Sequence, residues 1–165
     1  MKIDSAQFRT VMGHYPTGVS VVTSTTAEGE PIGMTVGTFT SVSLDPPLIG
    51  FFPDKRSTSW PKIAATGRFC VNILAQDQEL ICRKFSGGDR DRFSDVVHRL
   101  TANGMPILDG AVAWIDCDLY SVQEAGDHFF VLGEVRAITA ERAESPLIFL
   151  RGKFGRVIDI EAISA

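Results

Sequence analysis

AVAWIDCDLY (111–120) and FFVLGEVRAI (129–138) carry the strongest period-two pattern in the chain. In the first, Ala111, Ala113, Ile115, Cys117 and Leu119 alternate with Val112, Trp114, Asp116, Asp118 and Tyr120. In the second, Phe129, Val131, Gly133, Val135 and Ala137 alternate with Phe130, Leu132, Glu134, Arg136 and Ile138. Successive strand side chains point to opposite faces, so each segment predicts a long strand with one small or apolar face and one face mixing aromatics with charge. Residues 123–127 form the turn between them.

Outward from this pair, Asp4 and Ser5 cap a short helix with Phe8, Val11 and Met12 on one side. Strands are expected over 19–25, 32–35, 39–43, 48–52 and 69–74, punctuated by turns at 27–30 and at Asp45-Pro46-Pro47. A helix over 57–65 turns Trp60, Ile63 and Ala64 inward. Asp77 caps a third helix running to about Phe85, with Leu80 and Ile81 inward. Residues 86–95, polar and Gly-rich with SGGDRDRF at their centre, read as an exposed loop or a loose turn of helix. At least six strands and three short helices make the chain mainly β, an antiparallel Greek-key-like barrel closed so that no sheet edge is exposed. An open sandwich is the alternative.

The 165 residues suit one domain, 1–165, with a substantial core. Sixteen basic against 20 acidic residues leave a net charge of −4. That balance gives no footprint for nucleic acid. No apolar run reaches the roughly 20 residues that span a bilayer, and the first ten residues lack the apolar core of a signal peptide, so a cytoplasmic protein is expected. Cys70, Cys82 and Cys117 lack metal-type spacing; they read as buried small apolar residues of a reducing compartment, with no disulfide and no metal site.

Three segments could carry chemistry. In GMTVGTFTSVS (33–43), small and hydroxyl residues stand where a core strand would carry Val, Ile and Leu. Gly37 would admit a flat ligand close to the backbone, although Thr and Ser are also ordinary strand residues. In PDKRSTSW (53–60), Lys55 and Arg56 precede a helix capped by Ser57 and Thr58, which could hold an anion, or could be a plain capped helix start. AGDHFF (125–130) combines a hairpin turn with His128 at a strand start. No Rossmann, Walker, zinc-protease or nucleophile-elbow motif is present.

The ordered set YPTGVSVVT, GMTVGTFTSVSLDPPL, KRST, FCVNIL, a loop with Phe85 and Phe93, GDH before VLGEV, and PLIFLRGKFG resembles the short-chain flavin reductases of two-component flavin-dependent monooxygenases. The likeness runs from about residue 8 to residue 157. It implies an FMN-binding split β-barrel, a homodimer with Trp114 and Phe130 as candidate interface residues, and a separate monooxygenase partner that receives reduced flavin. It implies an isoalloxazine ring held by Met34, Thr35, Val36, Gly37 and Thr38, with Ser41, Val42 and Ser43 nearby. The flavin phosphate would lie against Lys55, Arg56, Ser57 and Thr58, and Phe85 would border the flavin. Gly126, Asp127 and His128 would lie beside the nicotinamide, His128 positioning it. Gly37 departs from the Asn, Ser or Ala expected there, which leaves backbone contacts only. The implied reaction is hydride transfer from NADH, less so NADPH, to FMN or FAD. A pyridoxamine-phosphate-oxidase-like flavoprotein and a flavin carrier without nicotinamide oxidation are the rival readings.

Overall fold

In the computed structural model, residues 3–88 and 91–158 are described. In chain order the elements are α1 (Ser5–Met12), β1 (Thr17–Gly18), β2 (Ser20–Thr25), β3 (Pro31–Val36), β4 (Thr40–Leu44), β5 (Pro47–Phe51), α2 (Trp60–Thr66) and β6 (Arg68–Ile73). Then follow α3 (Glu79–Ser86), β7 (His98–Leu100), β8 (Pro106–Leu108), β9 (Ala113–Ala125), β10 (His128–Ala140), β11 (Leu147–Leu150) and β12 (Lys153–Arg156). Seven strands form one sheet in the order β3-β2-β6-β9-β10-β5-β4, every pairing antiparallel.

The two outermost strands, β3 and β4, are consecutive in sequence, yet they are not hydrogen-bonded to each other. Side chains from β2, β3, β5, β6, β9 and β10 nevertheless share one core. Val22, Met34, Val36, Ile49, Phe51, Phe69, Val71, Ile115, Cys117 and Val131 pack together with Trp60 and Ile63 of α2. The sheet is thus curled around its own interior and split along β3 and β4. The expected barrel stands, but its closure without edges does not: among the described residues both edge strands keep one unpaired side.

Strand β2 is buried on both faces, so it reads as a continuous run and not as an alternating one. Val22 enters the barrel core, while Val21 joins Leu74, Cys82, Phe85, Leu108 and Leu147 in a second core beneath α3. Buried Asn72 fastens these layers. Its amide donates to Val21 O at 3.2 Å and Thr23 Oγ1 at 3.1 Å, and its Oδ1 accepts from Leu108 N–H at 2.8 Å. All three cysteines are buried, as the sequence implied.

Several local expectations change. Helix α2 begins at Trp60, three residues late, with Ser59 as its N-cap residue. Gln78, not Asp77, stands at the N-cap of α3, and Asp77 pairs with Arg142 at 3.3 Å. With that phase Cys82 and Phe85 face inward, and Leu80 is 80% exposed. The turn between β9 and β10 is only Gly126-Asp127, with Ala125 paired to His128. Bulges at Leu132/Gly133 and Val135/Ala137 interrupt the alternation of β10. Asp116, on the face expected to mix aromatics with charge, is buried and accepts from Asn103 Nδ2 at 2.9 Å. Trp114 packs on Cys70, Met105 and Ile107 and donates to Glu141 Oε1 at 2.6 Å, so its ring is engaged within its own chain.

Candidate active site

Strand β3 positions the first segment. Met34 and Val36 bury their side chains in the barrel core, which leaves their backbone as the part available to a ligand. Thr35 turns the other way, and its hydroxyl donates to Cys82 O on α3 at 3.1 Å. Gly33 lies over Phe85 so closely that a Cβ would stand 2.6 Å from the ring. Phe85 is therefore a buried backing for β3, 1% exposed. Gly37 and Thr38 are exposed at the end of β3. Thr38 Oγ1 accepts from Phe52 N–H at 2.9 Å, which ties the connection into β4 to the end of β5. Ser41 and Val42 are exposed on the edge strand β4, and Ser43 is half-buried. The unpaired side of β3 and the absence of side-chain bulk at Gly37 suit a flat ring with a polar edge.

The second segment is a turn and not a helix start. Asp54 accepts from Arg56 N–H at 2.8 Å and from the Arg56 guanidinium at 2.7 Å. That guanidinium holds the Asp54 carboxyl well below the usual carboxylate range. Lys55 reaches Glu124 at 3.3 Å and lies over the Phe129 ring, 5.4 Å from its centre. Both cations of the segment thus already have acidic partners. Ser57 Oγ accepts from Trp60 N–H at 3.1 Å, so Ser57 orders the entry to α2 although Ser59 is the N-cap residue. Ser57 also sits 3.9 Å from Met34 Sδ, which brings this turn against β3.

The third segment is laced to the second by backbone. Lys55 N–H donates to Asp127 O at 3.0 Å, and Phe129 N–H donates to Pro53 O at 2.9 Å, framing a bridge between Asp54 and His128. Gly126 supplies the φ of +66° that the two-residue hairpin requires. His128 Nδ1–H donates to Asp127 Oδ1 at 2.7 Å, and this bond lowers the Asp127 pKa. The Nδ1 bond fixes the ring and directs Nε2 away from Asp127.

Sequence reasoning passed over one residue of this region. Arg92, in the loop after α3, donates to Gly33 O at 2.9 Å, Ser59 Oγ at 2.8 Å and Gly87 O at 2.7 Å. It joins β3, the entry to α2 and the end of α3 through one side chain. A cavity of about 950 Å³ opens beside it, walled by residues 30–33, Thr58, Ser59, Lys62, Gly88, Asp91, Arg92 and Phe93. The signal available in sequence was an arginine beside an aromatic in DRDRF; two of its three acceptors, Gly33 and Ser59, lie far away along the chain.

Residues 12–157 match the family model described as a flavin reductase like domain. A flavin reductase of Pseudomonas putida is 56% identical over 153 residues, covering 93% of this chain and 90% of that protein. The reductase subunit HsaB of a flavin-dependent monooxygenase from Rhodococcus jostii is 43% identical, covering 92% of this chain and 77% of that protein. Among solved structures, the NADH:FAD oxidoreductase SgcE6 of Streptomyces globisporus, in complex with NAD and FAD fragments, superposes with a TM-score of 0.89 at 38% identity, covering 95% of this chain and 94% of that one. An edge strand that offers its backbone, a hydroxyl-bearing turn packed against it and a histidine hairpin laced to that turn occur here within this likeness, and the chain belongs to the flavin reductase-like family.

Proposed function

We propose that this protein is the reductase component of a two-component flavin-dependent monooxygenase, oxidising NADH and passing reduced flavin to a separate oxygenase. The observation that carries the reading is the backbone lacing of residues 53–55 to Asp127 and Phe129, which makes the phosphate turn and the histidine hairpin one unit. With flavin and NADH bound, the two cofactors supply the hydride chemistry, and the protein contributes geometry and polarity.

The chain's own residues then have separate tasks. The backbone of residues 34–38 holds the edge of the flavin ring. Ser57 and Thr58 offer hydroxyls to the flavin phosphate, with Lys55 and Arg56 close by but already ion-paired. His128, fixed by Asp127, orients the nicotinamide, with Gly126 keeping the hairpin tight. FMN and FAD both fit this scheme, with NADH preferred over NADPH. The protein works as a homodimer in the cytoplasm, where its three thiols stay reduced; among the described residues no helix is long and apolar enough to cross a membrane.

Steady-state NADH oxidation with added FMN or FAD tests the reading. Flavin-dependent turnover is the expected result. If neither NADH nor NADPH is consumed faster than in buffer, the reductase reading falls and a flavin carrier replaces it.

A further inference from the structure

We propose that Asn103 is a site of spontaneous modification, and that its conversion to an acidic residue releases the β7–β8 hairpin from buried Asp116. The chain holds two asparagines, Asn72 and Asn103, which differ in burial, in bonding and in the residue that follows. Asn72 is fully buried, its amide is bonded at both ends, and branched Ile73 comes next. Asn103 is exposed in the turn between β7 and β8, and Gly104 comes next. With no Cβ on residue 104, its backbone nitrogen has free access to the side-chain carbonyl carbon of Asn103. That nitrogen loses its proton and bonds to Cγ, the Cγ–Nδ2 bond breaks, and the amide nitrogen leaves as ammonia. Water then opens the cyclic imide at either carbonyl, leaving aspartate or its β-linked isomer at position 103. Water is the only co-reactant, and nothing is oxidised or reduced.

The fold both delays this reaction and gives its product a consequence. Gly104 N–H donates to Thr101 O at 2.9 Å, and Asn103 Nδ2 donates to Asp116 Oδ2 at 2.9 Å, so attack waits for the turn to open. Opening is local, because the turn joins strands that pair only at His98–Leu108, Arg99–Ile107 and Leu100–Pro106. Once residue 103 is acidic, the turn cannot close as before. Asp116 is 1% exposed, and among the described residues its Oδ1 has no hydrogen-bond partner. Asn103 is the side-chain donor to its Oδ2. Exchanging that donor for a second carboxyl group leaves a buried acid with neither oxygen satisfied and another acid in front of it. The β-linked isomer instead adds a backbone carbon to a turn closed by the bond from Thr101 N–H to Met105 O at 2.8 Å. Either product loosens Met105 and Ile107, which cover Cys70 and pack with Trp114.

Peptide mapping by mass spectrometry follows both asparagines in folded protein held in mildly alkaline buffer, with a urea-denatured sample beside it. Conversion at Asn103 is expected in both samples, roughly tenfold slower when folded because the turn must open first, with Asn72 intact in the folded protein. An Asn103 still unmodified in folded protein once the denatured sample has fully converted overturns the proposal. Asn103→Asp reads the consequence directly, and its melting temperature should fall by roughly 5–10 °C. Adding Asp116→Asn exchanges donor and acceptor across the same contact. That double variant should melt within about 2 °C of the parent, which keeps the test decisive if Asn103→Asp alone does not fold. A parental melting temperature for Asn103→Asp, or a double variant no more stable than the single one, overturns the role given to Asp116.

Discussion

His128 and Arg92 both belong to the candidate site, but they are held in different ways, and substitution separates them. The contacts that seat His128 in the sheet are made by backbone: the Asp54 bridge and the bond from Phe129 N–H to Pro53 O do not involve the imidazole. His128→Ala should keep them and lose only the ring. The expected outcome is a higher KM for NADH or slower flavin reduction by roughly 10- to 100-fold, the usual scale for lost positioning. Flavin affinity and melting temperature should stay near the parent. Stopped-flow reduction at several NADH concentrations checks this, and normal rates throughout would remove His128 from the site. Arg92 behaves oppositely, because its side chain is itself the tie between β3, Ser59 and Gly87. Bonds from a charged donor are worth about 1.5–3 kcal/mol each, so Arg92→Gln should cost about 1–3 kcal/mol of stability after relaxation and weaken FMN binding about tenfold. Arg92→Lys should restore little, since an ammonium lacks the fork that spans three acceptors. Urea unfolding beside an FMN titration reads both effects; a loss of stability with unchanged FMN affinity would make Arg92 purely structural.

At the scale of elements, the hairpin of β9 and β10 and the turn at residues 53–58 act as one body, so strain in one reaches the other. Gly126 adopts φ +66°, where an alanine costs about 1 kcal/mol or more. Gly126→Ala should therefore lower stability by about that amount and also raise the KM for NADH, because the hairpin cannot shift without pulling Lys55 and Pro53. An alanine variant with parental NADH kinetics would show that the lacing transmits nothing. The hairpin was legible in sequence because alternation is a local signal; β10 extends through all the residues that displayed it, and β9 through all but Ala111 and Val112. Its bulges were not, since a bulge depends on the partner strand. Buried Asp116 was not either: its burial comes from the segment around Asn103, brought over by folding. The phase of α3 was lost with its cap. Starting from Asp77 turns Leu80 inward, while the actual start at Gln78, whose Oε1 accepts from Ala75 N–H at 3.0 Å, turns Cys82 inward instead. The hydroxyls of Ser57 and Thr58 were visible as candidates. That Lys55 would already be paired was not, because Glu124 lies in a strand far along the chain, whereas the partner of Arg56 is Asp54, two residues away.

For the whole molecule, two properties follow from what the fold buries and what it leaves open. Burial pushes the Cys70 thiol up to about 12 and raises Cys82 and Cys117 as well, against an ordinary value of 9.0. The folded state keeps these protons while the unfolded chain releases them, so stability is unaffected below about pH 9 and falls as pH rises above it. Denaturation midpoints between pH 7 and pH 11 check the direction, and Cys70→Ala should flatten the decline; a midpoint unchanged up to pH 11 would contradict it. The second property is the surface left open. No residue of α1 is buried: Phe8, Val11 and Met12 are 57%, 63% and 51% exposed on one helix. Tyr15 and Leu44 add further exposed apolar surface at 69% and 95%. Single exposed apolar residues are ordinary, but an amphipathic helix with its whole apolar side in water is not. Burying side chains of this size gains about 1.5–3 kcal/mol each, enough to drive association of two copies if several are covered together. Sedimentation at micromolar concentration should give twice the 18.0 kDa chain mass, and the melting temperature should rise with protein concentration. Phe8→Asp with Val11→Asp should shift the species to 18.0 kDa without unfolding it, because neither side chain supports the core. A parent that sediments as a monomer across that range would rule out the homodimer, and a variant pair that stays dimeric would move the interface off α1.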